Sequence, residues 1–145
     1  MERLSEKVAV VSVIDPDAYA ASTVNGDVID MQDYEQVMFI LQVGTLGSGA
    51  SVSLTIKGDT TSGGSFTTTI TGKVTANLTQ AGSDSDKQAI ITVTQDEVTN
   101  QGLRYLREDL LIQNATSDVG TIALGTTRYG PASNFDLASV DEIIN

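Results

Sequence analysis

Paired carboxylates are the groups in this chain best suited by type to acid/base chemistry: Asp84/Asp86, Asp96/Glu97, Glu108/Asp109 and Asp141/Glu142. Two carboxyls flanking a glycosidic bond are the minimum for glycoside hydrolysis. Adjacent residues on a strand face opposite sides, however, and with 19 acidic against 8 basic residues neighbouring solvated carboxylates are expected anyway. A serine or threonine nucleophile needs a base within hydrogen-bond reach, and the chain has no histidine and no GxSxG or SxxK motif. The lack of cysteine removes thiol nucleophiles, disulfides and thiolate metal sites.

Calcium would use carboxylates at alternating positions, which Asp15-Pro-Asp17 and Asp84-Ser-Asp86 supply. Neither continues into the twelve-residue loop with its central glycine and final glutamate, so both read as turn caps. Gly44–Gly49 lacks the GxGxxG spacing, and Gly72-Lys73 precedes Val74 where a P-loop needs serine or threonine. The expectation is a protein that is no enzyme and carries neither metal nor cofactor.

Arg104, Tyr105 and Arg107 set cations beside an aromatic ring, an arrangement able to stack on single-stranded bases. With Arg128 they are too few to make an electropositive groove in a molecule of net charge −11. Nucleic acid and anionic membranes are therefore excluded as expected partners. The arginines are left with internal ion pairs to Glu108 and Asp109, or with a subunit contact. A sugar-binding module would need aromatic platforms, and the chain has no tryptophan, four tyrosines and three phenylalanines.

The elements that must position these residues read as strands. Short apolar runs are separated by Gly/Asn/Asp/Ser clusters, the spacing of an all-β sandwich or barrel. Ser51–Lys57 alternates Val52, Leu54 and Ile56 with polar residues, giving one core face and one wet face. Gln36–Val43 reads as a strand buried on both faces, Ala89–Thr94 and Gly120–Gly125 as shorter strands, and Phe66–Thr75 as one bent strand or two. Glycine-rich turns suggest a meander of hairpins, and Asn25-Gly26 is the dipeptide favoured in a type I′ hairpin. Thr94 with Glu97 three residues on predicts a capping box opening a helical turn over Asp96–Gln101, followed by a strand over Arg104–Gln113.

The ends differ from the middle. Residues 1–16 read as an N-terminal arm or an edge strand, 17–125 as the β domain, and 126–145 as a tail packed on the domain or a neighbour. Val8–Ile14 is β-prone without glycine or proline and would be a sticky edge if left uncovered. It is too short for a spanning or secretory segment, so the product is expected to stay where it is made.

Several phrases together resemble a known class. These are Ala20–Met31, the run Tyr34–Gly47, the strand Val52-Ser-Leu-Thr-Ile56, the turn into Leu103-Arg-Tyr-Leu-Arg107, and Arg128-Tyr-Gly-Pro131. The chain resembles the capsid decoration, cement or auxiliary head proteins of tailed bacteriophages. The resemblance implies a single antiparallel β-sandwich or barrel-like domain of jelly-roll or β-tulip type, with an extended N-terminal arm and a C-terminal tail. It implies a homotrimer, made in the host cytoplasm, that binds the major capsid protein on the capsid exterior and stabilises the shell. Leu4, Val8, Val10, Val11, Val13 and Ile14 are then the expected capsid-binding arm. Arg104, Tyr105, Arg107, Arg128, Tyr129 and Phe135 are the expected subunit contacts. Another phage structural protein, a head-fibre base or tail-associated part, is the alternative, and a carbohydrate-binding module a more distant one.

Overall fold

Alternation of apolar and polar side chains dictates the architecture, because each strand that buries every second residue needs a second sheet to bury it against. A computed structural model describes residues 1–145. Its strands are β1 (Val8–Tyr19), β2 (Ser22–Asn25), β3 (Ile29–Asp30), β4 (Tyr34–Leu46), β5 (Ser51–Asp59), β6 (Thr68–Val74), β7 (Leu78–Thr79), β8 (Gln88–Thr94), β9 (Tyr105–Gln113) and β10 (Ser117–Thr127). One helical turn, α1 (Gln95–Thr99), lies between β8 and β9.

One sheet has the order β1-β10-β4-β8. The other has the order β2-β9-β5-β6, with β3 also on β9 and β7 also on β5. β2 with β3, and β6 with β7, act as two interrupted edge strands, so the sheets face each other as four strand positions each. All pairings are antiparallel, and the chain changes sheet at nearly every connection. The first strand lies beside the last, and this is a jelly roll, an arrangement found in viral capsid and lectin domains and in cupins. The core lies between the inner faces, with Phe39, Leu41, Leu54, Ile56, Leu106 and Leu110 fully buried.

The meander reading fails because β4 and β5, and likewise β9 and β10, belong to different sheets. Gly44–Gly49 therefore carries the chain across the sandwich. Asn25-Gly26 makes no hairpin either: β2 and β3 both pair with β9, and Gly26 N–H donates to the Glu108 carbonyl between them. The glycine is needed there for space, since a Cβ would lie 2.6 Å from Glu108 Oε1. β4 buries one face only, with Gln42 exposed on the other, because no layer covers the outside of its sheet. The Thr94–Glu97 capping box is present: Thr94 N–H donates to Glu97 Oε2 at 2.9 Å and Glu97 N–H to Thr94 Oγ1 at 3.4 Å.

β1 runs straight through the boundary read at residue 16. Pro16 sits at an irregularity in the β1–β10 register, between Ile14 and Asp17. A missing N–H costs little at a bulge on an edge strand. Val8–Ile14 is thus hydrogen-bonded into the domain's own sheet rather than extended as a free arm.

Candidate interaction surface

Two termini meet beside β1. The 3₁₀ turn Leu4–Glu6 precedes it, and the turn Ala132–Asn134 packs against it. Ser5 Oγ donates to Asn145 Oδ1 at 2.7 Å, and Ser133 Oγ to Glu6 Oε2 at 3.2 Å. Met1, Leu4 and Ile144 are among the most exposed apolar side chains of the molecule, and Ile143, next to Ile144, is also exposed. The charged Glu2, Lys7, Asp141 and Glu142 flank them in sequence, and exposed apolar groups among polar ones are the usual composition of a protein-contact patch.

The outer edge of β1 is closed by the same chain. Val10 N–H donates to Asp136 Oδ1 at 2.7 Å, and Leu137 N–H returns to the Val10 carbonyl at 2.9 Å. Further along, Val13 N–H donates to Asp27 Oδ2 at 3.0 Å. Carboxylates placed on outward amides block the addition of another strand.

The expected arm residues are therefore divided. Leu4 is 73% exposed and available for contact. Val11 and Ile14 point into the core and are buried, so as anchors for a neighbour they are ruled out: reaching one would mean unpairing β1 from β10. Val8, Val10 and Val13 are half-buried, on a strand bonded to β10 on one side and to the tail and Asp27 on the other.

The expected subunit contacts are mostly engaged within the chain. Arg104 forms a two-pronged pair with Asp30, Nε to Oδ1 at 2.9 Å and Nη2 to Oδ2 at 2.6 Å, and its guanidinium lies 4.9 Å from the Tyr105 ring centre. The Arg104 guanidinium holds the Asp30 carboxyl below the usual range, against an opposing effect of burial. Arg107 makes the equivalent pair with Asp109 on its own strand and lies 4.9 Å from the Phe66 ring centre. Of the two carboxylates weighed for the arginines, Asp109 takes the pair and Glu108 takes none.

Phe135 packs edge-on against Tyr34, with ring centres 6.0 Å apart. Burial there pushes the Tyr34 phenol up to about 12. Tyr129 remains 59% exposed, with its hydroxyl donating to the Gln32 carbonyl at 2.8 Å. Arg128 N–H donates to the Asp33 carbonyl, and its side chain lines a recess with Glu35 and Asp96.

Glu108 was hidden from sequence reasoning. It lies inside the sandwich, fully buried, where Oε1 accepts from Ser12 Oγ on β1 and from Thr121 Oγ1 on β10, both at 2.8 Å. Oε2 has no hydrogen-bond partner. Burial raises this carboxyl above the ordinary glutamate value, the two hydroxyls oppose the rise, and the charges of Asp27 and Asp109 add to it. The available signal was its place in the β9 alternation, in phase with Leu106, Leu110 and Ile112.

A shallow cleft of about 620 Å³ crosses one end of the β1-β10-β4-β8 sheet and carries Asp17, Asp86, Asp118, Gln42 and Gln88. It offers carboxylates and amides but no serine, threonine or lysine. No group of three or more Asp or Glu side chains converges to hold a metal ion. Asp84, weighed as a calcium ligand, instead accepts from Thr79 N–H at 2.9 Å and from Lys87 Nζ at 3.0 Å.

No protein-family model and no curated protein matches this sequence. Solved structures do match in shape. The structure of infectious bursal virus derived T=1 particles superposes with a TM-score of 0.52 at 13% identity, covering 88% of this chain and 33% of that one. The cryo-EM structure of broad bean stain virus gives 0.44 at 12% identity over 90% of this chain and 44% of that one. A Bacillus endospore appendage that forms disulfide-linked pili gives 0.40 at 14% identity, over 88% and 96%. The chain thus spans about a third of the virus-particle protein it superposes on best among these three. At 13% identity the likeness to the virus-particle protein concerns fold alone, and the strand order above agrees with it: the chain is an all-β, antiparallel sandwich of jelly-roll type.

Proposed function

We propose that this protein is a structural component of a virus particle, acting through protein–protein contact rather than bond-making chemistry. The observation that carries this reading is the jelly-roll strand order, together with its superposition over 88% of the chain on the protein of infectious bursal virus derived T=1 particles. The terminal patch around Leu4 and Ile144 supplies a contact surface, and the blocked β1 edge keeps that contact from becoming open-ended strand addition. The charge of −11 suits a protein on the outside of a particle, where like charge keeps particles apart.

In its finer form the reading is a decoration protein of a tailed phage, a homotrimer bound to the major capsid protein on the shell exterior. Shell contact would then run through Leu4 and the terminal patch, with Val8, Val10 and Val13 lending only their half-buried outer surface. Tyr129 and Arg128 are the residues of the expected subunit contact with most left to offer a neighbour. Three weak contacts in one trimer would bind avidly, since the second and third dock at high effective concentration.

The test is assembly. Purified protein is concentrated and imaged by negative-stain electron microscopy, and separately mixed with shells of the major capsid protein encoded nearest to its gene. Closed particles formed by the protein alone mark a shell subunit. Saturable retention on the shells, lost in Leu4→Asp, marks decoration. Neither result, from folded protein, overturns the particle reading.

A further inference from the structure

The two edges of the β1-β10-β4-β8 sheet are treated differently by the chain. β1 is capped by Asp27, Asp136 and Leu137, whereas β8 pairs with β4 alone in its sheet. Val43 N–H donates to the Lys87 carbonyl. Antiparallel ladders alternate bonded and non-bonded residue pairs, so Ala89, Ile91 and Val93 face β4, while Gln88, Ile90 and Thr92 turn their amides and carbonyls outward. The neighbours of this edge agree with that phase. Lys73 Nζ donates to the Thr92 carbonyl at 2.7 Å, and Glu97 accepts from Thr94 N–H.

Lys73, paired to Glu97 at 2.9 Å, closes the far end of the edge. The stretch from Gln88 to the Thr92 amide stays open. Ile90, at its middle, is 62% exposed. A strand of seven residues without charge, glycine or proline is what edge protection ordinarily removes.

We propose that this edge pairs with the same edge of a second copy, antiparallel about a twofold axis through Ile90, joining two sheets into one. The sequence of the strand argues for a second copy. With Ile90 opposite its twin, Gln88 faces Thr92 of the other molecule and Thr92 faces Gln88. No like charges are opposed, and the exposed isoleucines cover each other as a cross-strand pair. Two molecules of charge −11 repel one another, and Gln88–Thr92 is a strip without an acidic side chain, Glu97 standing beyond it on the Thr94 amide. The Thr92 carbonyl has a second lone pair for the incoming amide while Lys73 holds the first. This interface goes beyond the particle reading and does not depend on it.

The experiment is sedimentation velocity on the full chain across a concentration series, with amide hydrogen exchange at low and high concentration. A species of twice the 15.2 kDa chain mass is expected, with Gln88, Ile90 and Thr92 amides gaining protection as it forms. Ile90→Pro removes an outward amide and no bond to β4, and Ile90→Lys opposes like charges across the axis. Both are expected to abolish the dimer while keeping the wild-type circular dichroism and a cooperative melt. A monomer at every concentration overturns the proposal. So does a dimer, or a trimer, that survives both substitutions or leaves those amides unprotected.

Discussion

Ser12 Oγ and Glu108 Oε1, on strands of opposite sheets, lie 2.8 Å apart in the interior of the sandwich. The same Ser12 hydroxyl accepts the Asp27 amide at 3.0 Å, so one small group connects β1, β9 and the segment between β2 and β3. A buried carboxyl with a free Oε2 is costly when ionised and tolerable when protonated. Glu108 is therefore the place where solution pH acts directly on the core.

The sign follows from the raised pKa. The folded state holds the Glu108 proton more tightly than the unfolded state, so this residue's contribution is fully present below the ordinary value of 4.5 and is lost as pH rises through the raised folded value. Asp30, Asp59, Asp84 and Glu97 have lowered values, so their contributions are present above 3.8 to 4.5 and are lost as pH falls through the lowered ones. Self-repulsion of the net negative charge also grows with pH, and the comparison that isolates Glu108 is with Glu108→Gln. Melting temperatures measured from pH 4 to pH 9 should decline more steeply for the wild type than for the amide variant, and the variant should be the more stable at the alkaline end. Parallel curves would mean that Glu108 does not titrate in this range.

Gly26→Ala tests the same junction by volume. A Cβ at this position would lie 2.6 Å from Glu108 Oε1 and 2.7 Å from Ser12 Oγ, on a segment whose amide is bonded to the Glu108 carbonyl. Overpacking of this kind costs roughly 1–3 kcal/mol. Urea denaturation should show that loss, and Glu108→Ala should recover part of it in the double variant, because the two changes share one space. Additive losses would place the strain elsewhere.

How much of this was legible in the sequence depends on how local each signal is. β5 could be read because Val52, Leu54 and Ile56 alternate without interruption, and α1 because Thr94 and Glu97 satisfy each other three residues apart. Glu108 was obscured by its type: a charged residue beside Asp109 in an acidic chain reads as solvated, although its phase with Leu106 and Leu110 places it inward. The sheet exchange at Gly44–Gly49 was not legible, since a loop that turns back and a loop that crosses over can have the same composition. Val8–Ile14 read as a sticky edge with nothing nearby to cap it. Its cap comes from Asp136 and Leu137, which bond the outward amide and carbonyl of Val10 from the other end of the chain, and no short-range pattern records that.

The Arg104–Asp30 pair lends itself to a double-mutant cycle. Its geometry is two-pronged, but the arginine side chain is 41% exposed and the aspartate 27%, so solvent screening keeps the coupling small. Arg104→Ala, Asp30→Ala and the double variant, compared by urea denaturation at low and at high salt, should give a small coupling that shrinks with salt. Coupling that is large and insensitive to salt would indicate a pair more enclosed than its exposure implies.

The strongest test of the closed β1 edge is Asp136→Ala. The carboxylate is the acceptor for Val10 N–H, and Leu137 N–H bonds back to Val10, so the tail and the edge strand hold one another through a reciprocal pair on one residue. Hydrogen bonds to charged groups contribute roughly 1.5–3 kcal/mol, of which a part is recovered by water at this partly exposed site. Loss of the carboxylate should therefore lower stability by about 1–2 kcal/mol and, more tellingly, free the tail. Limited proteolysis should cut after Arg128 faster in the variant. Exchange of the Val10 amide should accelerate while that of Ala123, deep in β10, stays slow. The bared edge then presents an outward amide and carbonyl at Val10 beside the exposed Leu4, the conditions for strand addition. Concentration-dependent aggregation that binds thioflavin, absent from the wild type, is the expected consequence. If Asp136→Ala leaves proteolysis, exchange and solubility unchanged, the tail is held by the Tyr34–Phe135 stack and buried Ala132 rather than by its bonds to the edge.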